Sequence, residues 1–273
     1  MTISDTVECI ESIKNNIKYE NLSIVVVDNG SPNGTGKKLL KKYADDSKVD
    51  ILISKENLGF SQGNNIGFKF AKYEKKSDFI VMTNNDTYIK QEDFCKNIIN
   101  LYKREKFHIC GPNIISTVDN KKQNPIPKIF NNINDVIRMK NKFLLLLKLN
   151  YIRCDNIIEK FIELKNQLKS KKTLEVNNND IQIHGSCMMF SPLYIKMYDG
   201  LYDKTFMYLE ECILKYISDR DGLNMIYSED MCIYHKEDSA TNAIMNKGYK
   251  KRRFYYINSI NSCNELIKLM KKR

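Results

Sequence analysis

Leu22-Ser23-Ile24-Val25-Val26-Val27-Asp28-Asn29-Gly30-Ser31 decides how this chain is read. Four consecutive β-branched residues make a strand that is apolar on both faces, the pattern of a strand buried between two layers of helices. The strand stops at a carboxylate, and Asn29-Gly30 supplies a tight turn. The same design returns at Phe79-Ile80-Val81-Met82, followed by polar Thr83-Asn84-Asn85-Asp86. Around these strands, Val7, Ile10, Ile13 and Ile17 are spaced as one face of a helix. Helices are further predicted over 37–44, 62–73 and 91–104, and strands over 49–53 and near 107–110. Short apolar strands alternating with helices predict an α/β domain with a mostly parallel sheet. Ligands of such sheets gather at the carboxyl ends of strands, where Asp28 and Asp86 fall.

Four stretches follow from composition: 1–118, an α/β half; 119–180, an insertion opened by Asn, Lys, Pro125 and Pro127, with helices near 133–149 and 155–170; 181–245, where strand and helix signals resume; and 246–273, a polar helical end. In 181–245 the pattern predicts a helix near 209–219 and strands at 186–190, 224–227 and 231–234. The formal charge of +11 is unevenly placed. Residues 121–172 carry 13 basic and four acidic side chains, and 247–273 carry nine and one. Residues 173–246 carry five basic and 12 acidic ones. With no zinc spacing, no helix-turn-helix pattern and no interleaved aromatics, this is not the footprint of a nucleic-acid-binding domain. The longest apolar run, Phe143 to Leu147, is far short of the roughly 20 residues a spanning helix needs. Eight cysteines with no CxxC pair read as reduced thiols of a cytoplasmic protein. The basic stretches and Phe143 to Leu147 suit peripheral contact with the inner face of an anionic membrane.

Five constellations could carry chemistry. Asp28-Asn29-Gly30-Ser31 can accept bonds from a sugar or base edge and offer backbone N–H groups to phosphate; the plainer reading is an Asx turn. Asn57-Leu58-Gly59-Phe60-Ser61-Gln62-Gly63-Asn64-Asn65-Ile66-Gly67 sets a glycine-rich turn before a helix start, where amides favour an anion. Asp86, just past a buried strand, can bind a divalent cation. Glu210 and Glu211 open a helix after Phe206-Met207-Tyr208-Leu209, where they complement its dipole or, in a cleft, provide a general base. His184-Gly185-Ser186-Cys187-Met188-Met189-Phe190 and His235, in Tyr234-His235-Lys236-Glu237-Asp238-Ser239, complete the set.

As an ordered set these motifs resemble glycosyltransferase family 2, of the GT-A fold, and within it the rhamnosyltransferase-like enzymes of bacterial surface polysaccharides. The likeness spans about 5–118 and 181–245. It implies a metal-assisted, inverting transfer of a sugar from a UDP- or dTDP-linked donor to a saccharide or lipid-linked acceptor. By the same resemblance Asp28, Asn29 and Ser31 contact the nucleotide, and Asn57, Gly59, Phe60 and Asn64 line the ribose-diphosphate side. Asn84 and Asp86 match the two ends of a DxD motif, with Asn84 in place of the first carboxylate and Asn85 between them on the donor side. Asp86 and His235 would hold Mn2+ or Mg2+. His184, Gly185 and Ser186 would line the acceptor side. Glu211 is favoured as the base, with Glu210 the alternative. Family members usually begin with an apolar strand, and here the pattern starts almost at the first helix. The resemblance therefore also implies weak donor binding, from a truncated start or a divergent pocket. The other reading is a non-catalytic sugar-nucleotide-binding or scaffold protein.

Overall fold

The computed structural model describes residues 2–156, 181–237 and 248–272. In chain order the first half is α1 (Ile3–Asn16), β1 (Ile24–Asp28), α2 (Thr35–Lys42), β2 (Val49–Ile53), α3 (Phe60–Tyr73), β3 (Ile80–Thr83), β4 (Thr87–Tyr88), α4 (Phe94–Glu105) and β5 (Ile109–Ser116). The second half is β6 (Ile126–Pro127), α5 (Ile133–Tyr151), β7 (Ile181–Gln182), β8 (Cys187–Phe190), α6 (Pro192–Met197), α7 (Glu210–Arg220), β9 (Met225–His235) and α8 (Gly248–Lys271). The α/β architecture is as expected. Most of the helix expected over 155–170 lies outside the described residues.

The sheet is mixed rather than mostly parallel. Five strands run in the order β3-β8-β5-β9-β4. β8 is antiparallel to both β3 and β5, β4 is antiparallel to β9, and β5 and β9 are parallel. All four residues of β8 are buried. An apolar strand covered on both faces reads the same in either direction, so the sequence pattern did not expose the reversal. β1 and β2 pair in parallel as a separate two-stranded sheet. Helices span the division on both faces. α3 sets Phe68 against Ile80 and Met82 while Gly67 lies against Val27 and Val25. α1 sets Ile10 among Ile24, Val26 and Leu39, while Ile13 and Ile17 pack with Val81 and Ile89.

One further expectation is corrected, and two segments gain detail. The two late strands are one, β9, irregular where β5 shifts register between Pro112 and Asn113. The polar C-terminal helix is half of a buried helix pair. Tyr256, Ile260, Cys263 and Leu266 of α8 pack with Val136, Phe143 and Leu146 of α5 and with Ile213 and Ile217 of α7. Its buried face includes Ser259 and Ser262, small residues that let helices approach but hide the stripe from a hydropathy count. The start of the insertion is tied to its surroundings: Ile126-Pro127 pairs with Ile181-Gln182, and buried Asn124 donates to the Pro112 carbonyl at 2.9 Å. α5 begins at 133 because Asn132 and Asp135 form a reciprocal capping box.

Candidate active site

Two runs of contacts converge on the N-terminus of α7. The first starts at the end of β1. Asp28 is buried, and its carboxylate accepts from Gly36 N at 3.0 Å and Ser31 N at 3.3 Å. Both oxygens serve the turn, which is the plainer of the two readings of this motif. A side chain at Gly36 would meet Asp28 Oδ2 at 2.2 Å. Asn29 stitches the turn to the glycine-rich loop: its amide donates to the Gly59 carbonyl at 2.8 Å and its oxygen accepts from Leu58 N at 3.0 Å. Asn57 caps the loop by accepting from Gly59 N at 2.9 Å, and Asn64 donates back to the Phe60 carbonyl at 3.0 Å. Gly59 has φ +84°, and a Cβ there would sit 2.1 Å from the Phe206 carbonyl oxygen. Only glycine permits that approach, and it lets Phe60 N donate to Phe206 O at 2.7 Å. The donor-side loop is thereby tied to the loop that delivers Glu210 and Glu211.

The second run starts at the end of β3. Asp86 is buried, and its Oδ1 lies 3.4 Å from His235 Nε2. The pairing of β4 with β9 sets Thr87 opposite His235 and so brings the two together. His235 Nδ1 is 2.8 Å from Gln123 Oε1. Because that oxygen can only accept, Nδ1 carries a proton, and in the neutral ring Nε2 presents its lone pair. A carboxylate oxygen and an imidazole nitrogen, oriented by an outer hydrogen bond, are a donor pair that suits Mn2+ or Mg2+. Among the described residues no three His, Cys, Asp or Glu side chains gather around a common point. The described residues thus bring together Asp86 and His235 as such donors.

Asn84 N donates to the Ser186 carbonyl at 2.9 Å, so the Asp86 turn lies beside the His184-Gly185-Ser186 turn. Asn85 turns its amide to Thr6 on α1 at 3.2 Å. His184 stands 5.7 Å from His235, ring centre to ring centre. Burial, together with the neighbouring His235 ring, pushes it down to about 4. Its Nδ1 accepts from Ser186 N at 3.1 Å, which leaves the proton on Nε2. Gly185 N donates to Glu211 Oε1 at 3.1 Å and closes the run. Gln123 and Asn124 were missed by the sequence reading. Asn124 Oδ1 accepts from His184 N at 2.8 Å, but both residues sit in an Asn- and Lys-rich stretch that carries no motif.

Glu210 and Glu211 open α7, and their environments differ. Glu210 is 8% exposed, and its Oε1 has no hydrogen-bond partner among the described residues. Burial, reinforced by the Glu211 charge, pushes it up to about 8. Glu211 is also raised by burial, but the Gly185 N–H opposes that shift by favouring the ionised form. Tyr208 and Leu209, just before them, are both left-handed, with φ of 72° and 66°.

A sequence model described as "Glycosyl transferase family 2" matches residues 4–180. The chain belongs to that family. It is similar to the low-salt glycan biosynthesis hexosyltransferase Agl10 of Haloferax volcanii, 24% identical over 222 residues, covering 79% of this chain and 60% of that protein. It is also similar to the glycosyltransferase GlyG of Streptococcus pneumoniae, 31% identical over 85 residues, covering 31% of this chain and 27% of that protein. The chain thus spans less than two thirds of either. Among solved structures, S. aureus TarS 1–349 in complex with UDP matches with a TM-score of 0.54 at 12% identity, covering 97% of this chain and 61% of that one. A second structure of TarS 1–349 gives 0.51 at 11% identity, covering 94% and 68%. These likenesses fit a GT-A-like fold. Among the described residues no helix is long and apolar enough to cross a membrane.

Proposed function

We propose that this chain is an inverting glycosyltransferase that moves a sugar from a UDP- or dTDP-linked donor to a saccharide or lipid-linked saccharide acceptor in surface glycan synthesis. The observation that carries the reading is the continuous path Asp86–His235–His184–Gly185–Glu211, which joins a cation-binding pair to a helix-opening carboxylate. Glu211 takes the proton of the acceptor hydroxyl, because of the two carboxylates it is the one tied to the His184–Ser186 turn, through Gly185 N at 3.1 Å. The acceptor oxygen then bonds to the anomeric carbon as the bond to the nucleoside diphosphate breaks. One base and no second nucleophile suit a single displacement. A divalent cation held by Asp86 and His235 would supply neutralisation of the departing diphosphate. The backbone N–H groups of the Asp28–Ser31 turn and the glycine-rich loop suit the donor's phosphates. That TarS was solved with UDP agrees with this donor class.

Peripheral contact with an anionic membrane belongs to the same reading, with its apolar residues corrected. Of the run Phe143 to Leu147, Phe143 and Leu146 are buried in the helical core, so the exposed apolar residues of α5 are Ile137 and Leu145, beside exposed Arg138, Lys142 and Lys148, with Ile152 just beyond the helix end. The rhamnosyl donor is one of several sugars to be screened. The test is turnover of UDP- and dTDP-sugars with Mn2+ or Mg2+, in wild type and in a folded Glu211→Gln variant. Turnover that survives the substitution sinks the assignment. A second reading is favoured by Asn84 standing where a carboxylate would strengthen the cation site: donor binding without transfer. Calorimetric binding of UDP with no product from any donor would select it.

A further inference from the structure

The loop that delivers the two carboxylates carries an aromatic corner that the transfer chemistry does not use. Phe206 packs edge-on against Phe254 at 6.1 Å, and Tyr208 packs against Phe254 at 6.4 Å and Tyr255 at 4.7 Å, the last at 86°. Tyr255 in turn meets Phe143 of α5 at 5.3 Å. Phe206 and Tyr255 are each 37% exposed. The loop is pinned at both ends of this cluster, by Phe60 N on Phe206 O and by Ser262 Oγ donating to the Met207 carbonyl at 3.1 Å. It also keeps Tyr208 and Leu209 left-handed, a conformation that costs non-glycine residues free energy and gathers at functional sites. Two residues on, the buried Glu210 Oε1 has no partner among the described residues. A buried carboxyl oxygen without a partner is expensive, and a ligand hydroxyl would satisfy it.

We infer that Phe206, Tyr208, Phe254 and Tyr255 form the acceptor platform, stacking the C–H face of a pyranose while Glu210 hydrogen-bonds a hydroxyl of the same sugar and Glu211 faces the reacting one. This rests on the transferase reading. The face of an aromatic ring and the C–H face of a pyranose are apolar surfaces of matching size, and the hydroxyls project from the rim toward the carboxylates. All four rings lie outside the 4–180 stretch that the family model matches, and two of them come from α8. On this inference acceptor choice is written in the C-terminal helix, and donor choice in the loops of the first half.

The test uses the full chain, methyl α- and β-hexopyranosides as probes, and saturation-transfer NMR, with UDP binding followed separately by calorimetry. The expected result is hexoside binding with the strongest transfer to ring C–H protons, weakened about fivefold or more in Tyr208→Leu and Tyr255→Leu, with UDP affinity unchanged. Phe206→Leu is the second line should either tyrosine variant melt early. No hexoside binding to wild type, or binding equal in all folded variants, overturns the platform. Failure of the transferase reading looks different: hexosides bind as expected, but no donor is turned over.

Discussion

Replacing Glu210 by glutamine removes a titration and keeps the side chain's size, so its effect on stability should depend on pH in one direction only. In the unfolded chain the carboxyl titrates near 4.5, and in the folded protein burial and the Glu211 charge raise it to about 8. Between those values the folded state holds a proton that the unfolded state has released. Stability due to this group is therefore fully present below the unfolded value and is lost as pH rises through the folded one. At about 1.4 kcal/mol per pKa unit, raising the pH from 5 to 8 costs wild type roughly 3 kcal/mol that Glu210→Gln does not lose. For a chain of this size that corresponds to about 6 °C in Tm. Thermal unfolding by circular dichroism at pH 5, 6.5 and 8 measures it. The variant should gain on wild type steadily across that series. A wild-type-minus-variant difference in Tm that is flat, or that rises with pH, refutes the assignment of Glu210 as a buried carboxyl held protonated at neutral pH.

Glu211→Gln should lower kcat by about 10²–10⁴ with UDP affinity retained, read by donor turnover and calorimetry. His235→Ala should abolish Mn2+ stimulation and weaken Mn2+ binding; undiminished wild-type turnover in excess chelator would remove the cation from the mechanism. Gly59→Ala places a methyl 2.1 Å from the Phe206 carbonyl at a φ of +84°, and should lower both UDP affinity and Tm by separating the two loops. Asp155 is buried and is held at about 2 chiefly by the Arg252 guanidinium and Asn150, against its burial. Its contribution is present above the ordinary carboxylate range and is lost as pH falls toward 2. Asp155→Ala should cost about 3 kcal/mol at pH 7 in urea unfolding.

How legible all this is varies with the physics of each element. Val49–Ile53 is a strand by pattern and in the structure, because apolar periodicity reports burial directly. Strand direction is not reported by periodicity, so β8 gave no warning of its reversal. Glu210 and Glu211 stand out because two carboxylates open a helix. What sets them apart is one backbone N–H from Gly185 to Glu211, a contact 26 residues away in sequence. Asp28 ends its strand by pattern, but the backbone N–H groups of Ser31 and Gly36 that meet its two oxygens are visible only in the structure. Asn29 bridges two loops about 30 residues apart, which no local pattern shows. Gln123 and Asn124 cannot be told from their Asn-rich neighbours, since the property that singles them out is which histidine backbone or ring they meet.

A continuous sheet resists sliding because every strand is laddered to the next. Among the described residues no ladder joins β1 to β3, so displacement of the β1–β2 plate past the larger one is opposed mainly by the packing of α1 and α3, with the Phe60–Phe206 backbone bond at the loop. Side-chain packing yields to shear more readily than a row of hydrogen bonds does. The compliant direction changes the separation between the Asp28–Ser31 turn, which travels with the small plate, and Asp86, which is fixed to the large one. In this protein the span available to a diphosphate is thus set by how two helices seat, and substitutions at Gly67 or Phe68 would retune it from outside the site.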